Sequence, residues 1–137
     1  MSIEGLTRMR EHLGEFYRWG GQKWGSGVDC SGAVLLCEGW TGPDLTAEDI
    51  RRNGRPVARG DERPGDFVLL LRAGRAFHVV YFLGWEKDKR GVRALVVGAS
   101  GGDSTTKTAA DAKRRNACVR YDLYNLESKS VEVRRWM

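Results

Sequence analysis

In the stretch Ile3 to Tyr17, apolar residues stand at Leu6, Met9, Leu13, Phe16 and Tyr17. These spacings of three and four predict an amphipathic helix with one apolar face. Residues 20 to 27 read Gly-Gly-Gln-Lys-Trp-Gly-Ser-Gly, and so many glycines raise the entropic cost of regular structure and mark a loop. The apolar pattern resumes at Ala33-Val34-Leu35-Leu36-Cys37, with Asp29 ahead of it and Gly39 behind. A buried helix is expected there, capped by Asp29 and carrying Cys30 in its first turn.

Polar composition from Thr41 to Glu62, with Pro43, Asn53, Gly54 and Pro56, predicts a connecting segment holding one short helix at Thr46 to Arg52. After the turn signal Pro64-Gly65-Asp66, the pattern becomes that of strands. Phe67 to Arg72 and Ala76 to Leu83 form a hairpin about Ala73-Gly74-Arg75, and Val92 to Val97, Ala117 to Tyr124 and Ser130 to Trp136 follow. Trp85 to Val92 reads as a charged turn, and Gly98 to Ala112, rich in Gly, Ser, Thr and Asp, as a loop. Helices first and strands afterwards predict an α+β fold, with the helices packed on one face of a mostly antiparallel sheet of about five or six strands.

At 137 residues, of which 41% are hydrophobic, the chain is long enough for one core and short for two, so residues 1 to 137 are expected to form one domain. No run approaches the ~18 apolar residues of a membrane span, so no membrane association is expected. Residues Met1 to Glu15 carry no apolar signal core or cleavage site, which predicts synthesis without a signal peptide. The net charge of +5, from 23 Lys and Arg against 18 Asp and Glu, favours a polyanionic surface such as nucleic acid or an anionic cell wall. The basic residues lack the aromatic interleaving of a nucleic-acid binder, so no nucleic acid is expected as a partner.

The chemistry concentrates on few residues. Cysteines at 30, 37 and 118 and histidines at 12 and 78 lack metal-ligand spacing, so neither a metal site nor another cofactor is expected. At a helix N-terminus, exposed N–H groups and the helix dipole favour a thiolate, which makes Cys30 the candidate nucleophile. Neighbouring backbone N–H groups could meet a developing oxyanion. His78 opens an apolar strand, where the plain alternative is an outward-facing strand histidine. A helix N-terminus packed against that strand would make it the base of a Cys–His pair. His12 is read as part of the polar side of the first helix, and Cys37 and Cys118 as buried small hydrophobes.

Tyr17-Arg18-Trp19-Gly20-Gly21, Asp29-Cys30-Ser31-Gly32, Arg63-Pro64-Gly65-Asp66-Phe67 and His78-Val79-Val80-Tyr81-Phe82-Leu83-Gly84 follow one another in an order and spacing that resemble the NlpC-type cell-wall endopeptidases. The likeness runs from about Leu6 to Ser104. It implies a papain-like core in which Cys30 attacks, His78 activates it, and Tyr17 lies beside the nucleophile. It further implies that Asp29 and Ser31 flank the nucleophile and bind the free amino end of a peptidoglycan stem peptide, although Asp29 is also explained as a plain helix cap. The bond commonly cut in that family joins γ-D-glutamate to a diamino acid.

One departure stands out. The family usually places a polar third residue, often histidine, just before an Ala-Ser pair on the next strand, and Gly98 occupies that place in Val96-Val97-Gly98-Ala99-Ser100. A backbone carbonyl, a water, Ser100 or Asp103 is left to orient His78. The resemblance therefore implies a peptidoglycan endopeptidase. The alternatives are an amidase or acyltransferase on the same scaffold and a non-catalytic binding or assembly module. A wall hydrolase made without a signal is expected to reach the wall or periplasm by a delivery apparatus such as a phage tail or a secretion system.

Overall fold

The computed structural model describes residues Ser2 to Trp136. Helix α1 spans Ser2–Glu11 and buries Leu6 and Met9. The helix expected through Tyr17 stops six residues early, because Gly14 takes a left-handed φ of 93° and the chain then pairs as an added strand. Gly14 N donates to Val119 O, Val119 N to Glu15 O and Tyr17 N to Ala117 O. This early stop brings Tyr17 out of helix α1 and into the site described below. His12 lies just past the helix and stacks on Trp24 at 3.8 Å between ring centroids.

Helix α2 (Cys30–Glu38) begins and ends where the sequence predicts, with Asp29 as N-cap and Gly39 as left-handed C-cap. Helix α3 (Ala47–Asn53) opens with a capping box between Thr46 and Asp49. The strands are β1 (Arg55–Pro56), β2 (Phe67–Arg72), β3 (Arg75–Asp88), β4 (Gly91–Ser100), β5 (Cys118–Tyr124) and β6 (Val131–Arg135), with helix α4 (Ala109–Arg115) between β4 and β5. They form one sheet in the order β1-β6-β2-β3-β4-β5, antiparallel at every pairing. The α+β architecture is the expected one.

Two expectations along the sheet need correction. The supposed charged turn at Trp85 to Val92 is the far end of a long β3–β4 hairpin that turns only at Lys89-Arg90. Backbone pairing continues past the core, and polar side chains such as Asp88 and Arg93, 3.7 Å apart, stand in water on that extension. The supposed loop Gly98 to Ala112 contains the end of β4 and the start of α4, whose capping box pairs Thr108 with Asp111.

Alternation along the strands builds two apolar layers. Phe67, Leu69, Val79, Tyr81, Val97 and Ala99 pack beneath α1 and α2. Val68, Val80, Phe82, Val96 and Val133 pack on the opposite face, with Leu126. Two buried acids tie strand ends in the middle of the sheet. Asp66, in the Pro-Gly-Asp turn, takes a two-pronged bond from Arg135 of β6 at 2.6 and 2.8 Å. Glu48 of α3 accepts the Ala76 amide of β3. Among the described residues no helix is long and apolar enough to cross a membrane.

Candidate active site

Cys30 is the first residue of α2 and is 7% exposed. Asp29 holds the turn around it: its carboxylate accepts Gly32 N at 2.7 Å and Gly20 N at 3.1 Å, with the Ser31 hydroxyl at 3.4 Å. Gly32 is required for this closeness, since a Cβ there would stand 2.2 Å from the Gly21 carbonyl oxygen. The glycine loop is thereby pressed against the first turn of α2, and Asp29 N closes the contact by donating to Gly21 O.

The sulfur faces strand β3. The Val79 backbone N–H, one residue past His78, favours the thiolate, as do the amides of Ser31 and Cys30. Burial outweighs them and pushes the Cys30 thiol up to about 11. The helix N-terminal amides thus act on the thiol in the expected direction, and burial, which the sequence argument does not contain, works against them. Burial likewise brings His78 down to about 4, with Asp122 opposing the shift and Arg120 adding to it. Burial thus disfavours the charged form of both groups.

His78 points to β4. Its Nε2 lies 3.2 Å from Ser100 Oγ, and among the described residues no hydrogen bond joins it to Cys30. Ser100 is 3% exposed, and its hydroxyl favours the ionised form of Tyr124 on β5, whose phenol burial raises to about 12. Tyr17 is buried beside the nucleophile, and its phenol is raised by burial and by the nearby Cys30, Asp29 and Asp103. Asp103, the other polar residue considered as a partner for His78, is instead engaged with Thr105, Thr106 and Arg115.

Two adjoining hollows make the cleft. One, of about 360 Å³, contains Asp29, Cys30, Ser31 and Asp44. The other, of about 490 Å³, contains His78, Ser100, Arg72 and Tyr124. Tyr17, Trp19 and Phe77 line both, so these aromatics form the saddle between the cysteine side and the histidine side. Trp19 and Phe77 are 54% and 46% exposed, a large apolar exposure for residues flanking a cavity. Arg72 stacks on Phe77, its guanidinium carbon 4.4 Å from the ring centroid.

The structure thus gathers Asp29, Cys30 and Ser31 on one side of the saddle, sets Tyr17 in the saddle itself, and places His78 on the other side. Trp19 figured in the sequence only as part of the Tyr17 motif, and Phe77, Arg72 and Tyr124 were given no role there. Strand alternation could have placed Tyr124 on the His78 side, whereas the register shift that pairs Leu70 with His78 and Leu71 with Ala76, leaving Phe77 without a partner on β2, is revealed by no local pattern. Cys37 is buried against Met9 as expected, while Cys118 is only half-buried.

No family model matches the chain. The murein DD-endopeptidase MepH of Escherichia coli K12 is 31% identical to it over 90 residues, 58% of this chain and 32% of that protein, so the match spans about a third of the relative's length. Among solved structures, the peptidoglycan hydrolase RipB of Mycobacterium tuberculosis matches with a TM-score of 0.63 and 22% identity over 98% of this chain and 64% of that one. RipD of the same organism, described as a non-catalytic NlpC/p60 domain protein adapted to peptidoglycan binding, matches with a TM-score of 0.62 and 14% identity over 99% of this chain and 97% of that one.

Proposed function

We propose that this chain, whose fold is that of solved NlpC/p60 domains and whose motifs follow the order of the NlpC-type endopeptidases, hydrolyses an amide bond in the peptide of peptidoglycan. The observation that carries the reading is the placement of Cys30 at the head of α2, with the Val79 amide facing its sulfur and His78 one residue away on β3. In this scheme Cys30 Sγ attacks the carbonyl carbon as His78 takes the thiol proton. The Val79, Ser31 and Cys30 amides lie where negative charge develops. His78 then returns the proton to the leaving amine, and water releases the acyl group from sulfur by the same relay.

Burial disfavours both the thiolate and the imidazolium, so in this reading proton transfer accompanies attack rather than preceding it. The proposed bond is the γ-D-glutamyl–diamino acid amide, with Asp29 and Ser31 facing the amino end of the peptide and Tyr17 beside the sulfur.

The burial that disfavours both charged forms, and the absence of a Cys30–His78 hydrogen bond, favour a second reading, a domain that binds peptidoglycan without cutting it, in the manner described for RipD. Dye-labelled sacculi separate the two. Release of soluble dye by the wild type, with Cys30→Ala retaining binding in co-sedimentation but releasing none, supports hydrolysis. Co-sedimentation without release by the wild type supports the binding module.

A further inference from the structure

The place left empty at Gly98 has been filled from the neighbouring strand. A Cβ at 98 would stand 2.6 Å from Val80 Cγ1 and 3.1 Å from Val80 Cβ, atoms anchored close to the backbone that have no free rotor to move them aside. Gly98 is flanked by Val97 and Ala99 in the core layer beneath the helices, while Val80 belongs to the opposite layer. Position 98 therefore faces the side on which Val80 stands, and no polar side chain fits there without displacing β3. Two residues along β4, on the same face by strand alternation, is Ser100, whose hydroxyl is the group within hydrogen-bond distance of His78 Nε2.

The direction of the proton matters. If the Ser100 hydroxyl donated to Nε2, the ring would carry its proton on Nδ1 and could not accept one there. If it accepts from Nε2–H, its own hydrogen needs another acceptor. The Tyr124 phenol, which lines the same hollow and whose ionised form the Ser100 hydroxyl favours, is the acceptor this arrangement calls for. Behind these groups, Asp122 and Arg120 of β5 pair at 3.1 Å and line the same hollow. They are the charged groups that act on His78 from the adjoining strand.

We propose that Ser100 is the positioning residue of His78, accepting from Nε2–H while donating to Tyr124, so that Nδ1 stays unprotonated and free to take the Cys30 proton. Val80 and Gly98 together replace the side chain that would otherwise orient the ring. The proposal rests on the Cys–His reading above, while the tautomer itself can be measured apart from any catalysis.

The test compares wild type, Ser100→Ala and Tyr124→Phe at neutral pH in three measurements: the His78 tautomer by 15N-resolved NMR, the rate of Cys30 alkylation by iodoacetamide, and kcat against KM on a stem-peptide substrate. The wild type is expected to hold the Nε2–H tautomer. Ser100→Ala is expected to mix the tautomers, slow alkylation, and lower kcat by about tenfold or more with KM little changed; Tyr124→Phe should fall between the two. A wild-type Nδ1–H tautomer, or a Ser100→Ala protein with unaltered tautomer and alkylation rate, would overturn the assignment. If the wild type cuts no peptide, the hydrolase reading fails by itself, and tautomer and alkylation still decide the role of Ser100.

Discussion

The Glu48 carboxylate accepts the backbone amide of Ala76 at 2.7 Å, tying helix α3 to the start of the strand that carries His78. The same carboxylate holds Arg51 and Arg52 at 3.1 and 2.9 Å, and these contacts keep it below the usual carboxylate range, the Ala76 amide foremost. Glu48→Ala leaves that amide without its partner. The expected cost is about 1–3 kcal/mol in chemical denaturation, together with earlier hydrogen exchange at Ala76 and Phe77. An unchanged exchange pattern there would contradict the role given to Glu48.

Gly98 is predicted to be intolerant of any side chain. Gly98→Ala should destabilise the protein by about 1–3 kcal/mol, the range for overpacking a tight core, and Gly98→His should not raise activity. Combining Val80→Gly with Gly98→Ala opens the space, so the double variant should be more stable than the sum of the single changes implies. Strict additivity in thermal or denaturant unfolding would count against the contact.

Stability should fall on both sides of neutrality for reasons traceable to the site. His78 sits at about 4 when folded against an ordinary 6.5. Between those values the unfolded chain binds a proton that the folded one does not, so acidification through that window costs at most ~3 kcal/mol from this group. Cys30 sits at about 11 against an ordinary 9.0. There the folded state holds the extra proton, and stability falls as pH rises from about 9 to about 11. Denaturant unfolding across pH should lose the acid-side component in His78→Gln and the alkaline-side component in Cys30→Ala.

Trp19 and Phe77 offer their exposed rings to both hollows of the cleft, so their loss should weaken substrate capture more than chemistry. Trp19→Ala and Phe77→Ala are expected to raise KM several-fold with a smaller change in kcat. Phe77→Ala also removes the ring on which Arg72 rests. Equal losses in kcat and kcat/KM would mean instead that the rings act only in the transition state.

Much of this was legible in the sequence where the signal is local. Asp29 and Gly39 bracket α2, continuous apolar runs mark the centres of β2, β3 and β4, and alternation marks β5 and β6. The end of α1 was not, because residues 14 to 17 leave the helix to pair with Val119 and Ala117, about a hundred positions away. The outer half of the β3–β4 hairpin was hidden by its charges, since strand pairing in water needs no apolar face. Helix α4 carried a readable Thr-x-x-Asp signal that its glycine- and serine-rich surroundings obscured. In the site, the Asp-Cys-Ser-Gly motif named the nucleophile's neighbourhood. The fit of Val80 against Gly98 requires knowing which strands are neighbours, and the rise of the Cys30 thiol comes from burial that the helix-terminus argument does not contain.

The most direct test of the central claim is digestion of purified muropeptides by the wild type, Cys30→Ala and His78→Ala, read by mass spectrometry. The account predicts wild-type products split at a stem-peptide amide, commonly after γ-D-glutamate, and none from either variant. Products from Cys30→Ala at the wild-type rate, or intact muropeptides with the wild type, would contradict it.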